Sequence, residues 1–404
     1  MRILVHDFAG HPFQVQLSRS LAQRGHEVVH AYCASLQTTP RGALEPQPDD
    51  PAGFRVEPIS LRHPITKYSF VRRWGQENVY GRLLVRAASR FRPDVVLSGN
   101  TPLDAQRRIL KYCRQEDIGF VFWVQDLIGV ASARLLKEKI PIVGGTVGEY
   151  YARMERTLLQ KSDGVVLITE DFRPLLEEWG VDPHRVSVIE NWAPLDELPQ
   201  RPRENDWSRR HGLDATTNLV YTGTLGMKHN PEILLELAER FRGRADVRVV
   251  VVSQGLGADW LEERKRERNL QNLLILGFQP FEDMPDVLGS AAVLLAVLEP
   301  DAGIFSVPSK VLSYLCAARP VLLAVPPENL AARIVTENDA GRIVAPTDTN
   351  GFVAAAEEML DDAGLRRRLG ENARRYAEST FDIGRISNDF EAALERVLAR
   401  RVRR

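Results

Sequence analysis

The stretch richest in chemistry runs from Leu298 to Val321, LEPDAGIFSVPSKVLSYLCAARPV. It follows AAVLLAVL (Ala291–Leu298), a continuous apolar run whose length suits a buried parallel strand. Gly303 gives the next loop the backbone freedom needed to approach a ligand closely. Ser309 then precedes Val311, Leu312, Leu315 and Cys316, an i, i+1, i+4, i+5 apolar face that predicts a helix. Strand, glycine-bearing loop and helix N-terminus together make an anion site, because unpaired amides and the helix dipole both favour negative charge. Lys310 beside them points to a phosphate. The plainer alternative is an ordinary strand–helix unit with a solvated lysine.

Other chemistries find little support. GLGADW (Gly255–Trp260) imitates half of a dinucleotide fingerprint. Trp260 stands where a third glycine would let helix and strand close, and no acid ends the following strand LLILGF, so no nicotinamide cofactor is expected. No Ser–His–Asp set or nucleophile elbow is visible, and the histidines lack metal-site spacing. Cys33, Cys113 and Cys316 are too widely spaced for a metal or disulfide framework, which fits a reducing cytoplasm.

At 404 residues the chain predicts two domains. Its 44% hydrophobic and 26% charged content is that of a soluble globular protein, and a net charge of −1 gives no case for nucleic acid. No apolar run approaches the roughly 20 residues that span a bilayer. MRILVHDF reads as a strand rather than a signal peptide. A cytoplasmic protein is expected, soluble or peripheral to the inner face of a membrane.

The elements that must position these residues alternate. Strands are expected at Arg2–Val5, Glu27–Ala31, Asp94–Ser98, Phe120–Val124, Gly164–Ile168 and Val186–Ile189, with helices near 13–24, 77–91, 103–115 and 146–161 and a loop over 34–55. Pro194, Pro199 and Pro202 mark a linker over 194–214. A second series follows, with strands at Leu219–Tyr221, Val247–Val252, Leu273–Leu276, Ala291–Leu298, Val321–Ala324 and Arg342–Val344. The fold class is therefore α/β, two Rossmann-like doubly wound domains facing across a cleft. The expected division is 1–195 and 196–379, with a helix over about 380–404 that packs back on the first domain.

At this point the residues resemble a family. YTGTLGMKHNPEILLELA, VVVVSQG, LILGFQP, SVPSKVLSYLCAARPVL and ENDAGRIVAP occur in the order of GT-B glycosyltransferases, family 4-like, and GHPFQVQLSRSLAQRGHEV and VIENW match upstream. The resemblance implies a sugar nucleotide, UDP-linked, as co-substrate, with no other cofactor, no metal, and retention at the anomeric carbon. It implies that Gly223, Thr224 and Lys228 meet the donor diphosphate together with Gly303, Ser309 and Lys310. Ser253, Gln254, Phe278 and Gln279 would line the nucleotide crevice. The chain departs from the family in two places: Thr224 replaces a common arginine, and Phe305 and Ser313 stand where many members carry paired glutamates. Glu299 and Asp301 are alternative partners for the sugar hydroxyls.

The same resemblance places the acceptor on the first domain. Gly10 and His11 begin its first strand–helix loop, and Asp126 ends the strand VFWV, where a carboxylate suits an acceptor hydroxyl. Helix-start and helix-capping roles are the rivals for these residues. Retaining members use the donor phosphate as base, which leaves Asp126 an orienting role. Between His63 and Arg92, basic residues alternate with Ile65, Tyr68, Phe70, Trp74, Tyr80 and Leu84, a pattern that suits an anionic membrane surface and a lipid-linked or glycan acceptor. The alternative is an amphipathic helix packed on its domain. Two other functions share the architecture: a nucleotide-sugar epimerase, or a non-catalytic nucleotide-sugar-binding protein.

Overall fold

A computed structural model describes residues 1–36, 42–66, 69–130, 141–226, 229–298 and 309–402. The chain divides into two units, Met1–Asn191 with Ile383–Arg404, and Trp192–Asp382.

The first unit is built on β1 (Arg2–Asp7), β2 (Glu27–Cys33), β3 (Phe54–Ile59), β4 (Val95–Gly99), β5 (Gly119–Val124), β6 (Gly164–Leu167) and β7 (Val186–Val188). They pair in parallel in the order β3-β2-β1-β4-β5-β6-β7. Strands buried on both faces must be apolar throughout, and β5, GFVFWV, is wholly buried. The order reverses between β1 and β4, where Asp7 pairs with Gly99, so this is the topological switch point of the sheet. β3, which begins at the end of the stretch expected as loop, was not among the expected strands. It pairs with β2 and carries Pro58, which a sheet accepts at an edge where no ladder hydrogen bond is needed.

Helix Ile383–Val402 completes this unit. It lies against β5 and β6, with Phe390 edge-on to Trp123 at 4.7 Å between ring centroids. Gly119 and Gly164 make room for it, since a Cβ on either would stand 3.0 and 2.8 Å from the Val397 side chain. Glu391 accepts from Arg24 at 3.0 Å and pairs with His26 at 2.7 Å, closing the helix onto the helix Pro12–Gln23 side of the sheet.

The second unit contains β8 (Thr217–Thr222), β9 (Val247–Val252), β10 (Leu273–Leu276), β11 (Ala291–Val297), β12 (Val321–Ala324) and β13 (Gly341–Val344). The order β10-β9-β8-β11-β12-β13 reverses between β8 and β11, again with parallel pairing. Its core joins Leu219, Tyr221, Val249, Val251, Val293 and Leu295 to the helices over the sheet. Burying each such aliphatic side chain contributes roughly 1.5–3 kcal/mol. The expected linker carries structure of its own. Asn205 and Ser208 form a capping box at helix Asp206–Arg210, and Trp207 is fully buried. Among the described residues, no helix is long and apolar enough to cross a membrane.

Candidate functional site

In the second unit the site forms where β8 ends. Gly223 leaves the strand at φ +100°, a conformation that side chains disfavour, while its amide donates to the Val252 carbonyl at 3.0 Å. A Cβ there would lie 3.3 Å from both Cε and Nζ of Lys310, which comes from the helix Ser309–Cys316 on the other side of the switch point. The Lys310 ammonium donates to Tyr221 Oη at 2.6 Å and lies 3.8 Å from that ring's centroid. Tyr221 Oη in turn donates to the Thr224 carbonyl at 3.0 Å. Burial pushes the Lys310 pKa down to about 7, and among the described residues no carboxylate pairs with it. Tyr314, from the same helix, accepts from the Thr222 amide at 2.9 Å and locks the helix to β8.

The remaining donor-side expectations fall into three groups. Gly223, Thr224, Ser253, Ser309 and Lys310 are brought to one end of the sheet, with Thr224 and Ser309 exposed. Ser253 is buried, and its hydroxyl donates to the Gly223 carbonyl at 2.7 Å, so it supports the turn. Gln254 is exposed, and its Nε2 lies 3.8 Å from where a Cβ on Gly277 would be. Phe278 is half-buried; Gln279 accepts from Trp207 Nε1 at 3.0 Å and donates to the Gly277 carbonyl at 2.9 Å. Lys228, Glu299, Asp301, Gly303 and Phe305 lie outside the described residues. Ser313, on the helix, is half-buried.

In the first unit the switch point carries a group that the sequence reading passed over. Asp7 is fully buried at the end of β1. Its carboxylate accepts from the amides of Ala9 (3.0 Å) and His11, and meets His11 Nδ1 at 3.1 Å. Burial alone would raise its pKa, but His11 outweighs burial and holds it down to about 2. Gly10, at φ +78°, turns the chain between them. Asn100 Nδ2, in the loop after β4, lies 3.3 Å from His11 Nδ1. The loops leaving β1 and β4 therefore converge on one imidazole.

Asp126 is exposed just beyond β5. Nearby, the buried Glu155 accepts from the amides of Gly129 (3.0 Å) and Val130 (3.4 Å) with one oxygen, while its Oε1 has no partner among the described residues. Burial raises its pKa to about 7 against the pull of those amides. The amides of Gln125 and Asn191 exchange hydrogen bonds at 3.1 and 2.6 Å.

Helix Phe70–Phe91 sorts the basic and aromatic stretch into two faces. Tyr80 and Leu84 are fully buried and Ile65 nearly so, which removes them from any outer surface. Val71 (76%), Trp74 (47%) and Val79 (41%) are exposed. Arg62, His63, Arg72, Arg82 and Arg86 line a groove of about 700 Å³ beside them. Lys67 and Tyr68 lie outside the described residues.

Comparison with known proteins follows the two units. Residues 11–192 match the glycosyl transferase 4-like domain family, and residues 204–376 match the glycosyl transferases group 1 family. Among curated relatives, the chain is 26% identical over 251 residues to the colanic acid biosynthesis glycosyl transferase WcaI of Escherichia coli K12, covering 61% of this chain and 60% of that one. It is 27% identical over 228 residues to the alpha-D-kanosaminyltransferase of Streptomyces kanamyceticus, covering 54% and 56%. These matches thus span less than two thirds of the relatives' length. Among solved structures, sucrose-phosphate synthase from Thermosynechococcus elongatus superposes with a TM-score of 0.77 at 16% identity, covering 99% of both chains. Anabaena HepE in complex with UDP and glucose gives 0.73 at 14% identity, covering 98% of this chain and 99% of that one. At such identities the likeness is one of fold.

Proposed function

Because the chain belongs, through both of its units, to the family 4-like glycosyltransferases of GT-B fold, we propose that it moves a sugar from a UDP-linked donor to a hydroxyl of a glycan or lipid-linked acceptor. The observation that carries this reading is the meeting of Gly223 and Lys310 at the β8/β11 switch point. When the anomeric carbon–oxygen bond breaks, negative charge builds on the departing diphosphate. A fixed donor at that oxygen is worth about 3 kcal/mol of barrier. Lys310 sits next to a turn whose glycine sets no side chain against the ammonium, and no acid competes for it among the described residues. The cation at the diphosphate is then an ammonium, and the reaction needs no metal.

The first unit takes the acceptor. His11, fixed through Nδ1 by Asp7, contacts the acceptor, and Asp126 orients the hydroxyl. The anomeric configuration is retained, with the donor phosphate receiving the hydroxyl's proton. A lipid-linked acceptor accords with the exposed Val71 and Trp74 beside the arginine-lined groove, which would rest on the anionic inner face of a membrane. An epimerase would need acids and bases around the sugar ring and would turn over donor without acceptor.

Thermal shift against UDP, GDP and their sugars tests the reading. A ligand at one hundred times its dissociation constant stabilises by about 2.7 kcal/mol. A rise in melting temperature with UDP, absent in Lys310→Ala, is the expected result; no rise with any of these nucleotides overturns it.

A further inference from the structure

The geometry points to Tyr221 as a positioning residue: its hydroxyl and ring hold the Lys310 side chain in place at the end of β8 before the diphosphate arrives, and hand it over when the phosphate binds. The inference rests on the proposed role of Lys310 and adds a residue to it.

Tyr221 belongs to the apolar core of its unit and is fully buried. A phenylalanine would fill that space equally well, and burying a hydroxyl is costly unless it is bonded. Here both of its capacities are used, and in a definite direction. The proton goes to the Thr224 carbonyl at 3.0 Å, which turns an oxygen lone pair toward Lys310 Nζ at 2.6 Å. The ring face lies under the same nitrogen at 3.8 Å, a cation–π distance.

Both partners of the ammonium, the hydroxyl and the ring face, are neutral. Arg240, Arg244, Arg268 and Arg342 of the same unit are each paired with a carboxylate. Among the described residues, no carboxylate forms an ion pair with Lys310. A carboxylate in place of the hydroxyl would neutralise the ammonium and compete with a phosphate for it. A neutral oxygen and a ring face orient the flexible side chain, yet yield to an anion that brings a charge-assisted bond. Gly223 completes the arrangement by leaving the lysine's end open on the turn side. Holding a long side chain in its working position before binding removes the ordering cost from the binding step.

The test compares Tyr221→Phe, Lys310→Ala and the double variant by calorimetric titration with UDP and with uridine. Tyr221→Phe keeps the ring and should melt within a few degrees of the wild type. It is expected to weaken UDP roughly fivefold to tenfold while leaving uridine unchanged. Lys310→Ala is expected to weaken UDP by roughly a hundredfold, and Tyr221→Phe should add nothing in that background. Additive losses in the double variant, equal losses for UDP and uridine, or an unchanged UDP affinity in Tyr221→Phe would each overturn the positioning role. If Lys310→Ala binds UDP like the wild type, the phosphate role of Lys310 falls instead.

Discussion

Gly223 and Lys310 face each other so closely that a Cβ on the glycine would lie 3.3 Å from both Cε and Nζ of the lysine. The glycine's φ of +100° adds a second restriction, because side chains avoid that region at a cost of about 1 kcal/mol or more. Gly223→Ala should therefore lower the melting temperature by several degrees. It should also weaken UDP by more than the stability loss explains, as the displaced lysine no longer reaches the diphosphate. Thermal melts with and without UDP separate the two effects.

Lys310→Ala should lower turnover of a UDP-sugar by roughly a hundredfold to a thousandfold, the usual consequence of deleting one donor to a developing oxyanion. The fold should survive, since the surrounding strands β8 and β11 are buried and paired without it. In the wild type, EDTA should leave the rate unchanged. Initial rates of the two proteins with and without chelator check both statements.

Asp7 gives a stability prediction with a definite sign. Its carboxyl is held down to about 2 in the fold against an ordinary value of 3.8. The stability it contributes, about 2 kcal/mol, is present above pH 4 and is lost as pH falls through about 2. Asp7→Asn should lose that increment at pH 7 and show a shallower acid limb in urea titrations between pH 4 and 2. It should also slow transfer to acceptor more than it weakens UDP, because Asp7 fixes the ring of His11.

Glu155 behaves in the opposite sense. Burial raises its pKa from 4.5 to about 7, so the neutral form suits the fold and its contribution is complete below pH 4.5. That stability, about 3 kcal/mol, is lost as pH rises through about 7. Glu155→Gln should match the wild type at pH 4 and exceed it at pH 8, by chemical denaturation at each pH. A variant less stable at pH 8 would contradict this.

Trp74 and Val71 test the membrane reading. Vesicles containing phosphatidylglycerol should sediment the protein, and Val71→Ser/Trp74→Ala should reduce the bound fraction severalfold without changing the melting temperature, because both residues are exposed. Neutral vesicles serve as the control.

Much of the architecture was legible because strands covered on both faces must be apolar. VRVVVV in β9 and AAVLLAV in β11 leave no other reading. β3 was not legible, since FRVEPI is an edge strand with polar residues and a proline. At the site, Lys310 announced itself through its place at a helix start, but Tyr221 did not. An aromatic residue in an apolar strand reads as core, and its bond to Lys310 spans 89 positions. The same distance problem concealed the bond that Gln279 accepts from Trp207, 72 positions away. Asp7 left a trace that went unread: an acid at a strand's end, four residues before a histidine, with a glycine between them.

The helix Ile383–Val402 belongs to the first unit although nearly two hundred residues of the second unit, Trp192–Asp382, come before it. During synthesis, then, the sheet that begins at Arg2 waits with β5 and β6 uncovered until residues 383–402 have left the ribosome, while the second unit has everything it needs earlier. A fragment ending at Asn191 would expose Trp123 and the two glycine-floored hollows that receive Val397. Such a fragment should aggregate when expressed alone, and joining residues 383–402 to it through a short flexible link should restore its solubility.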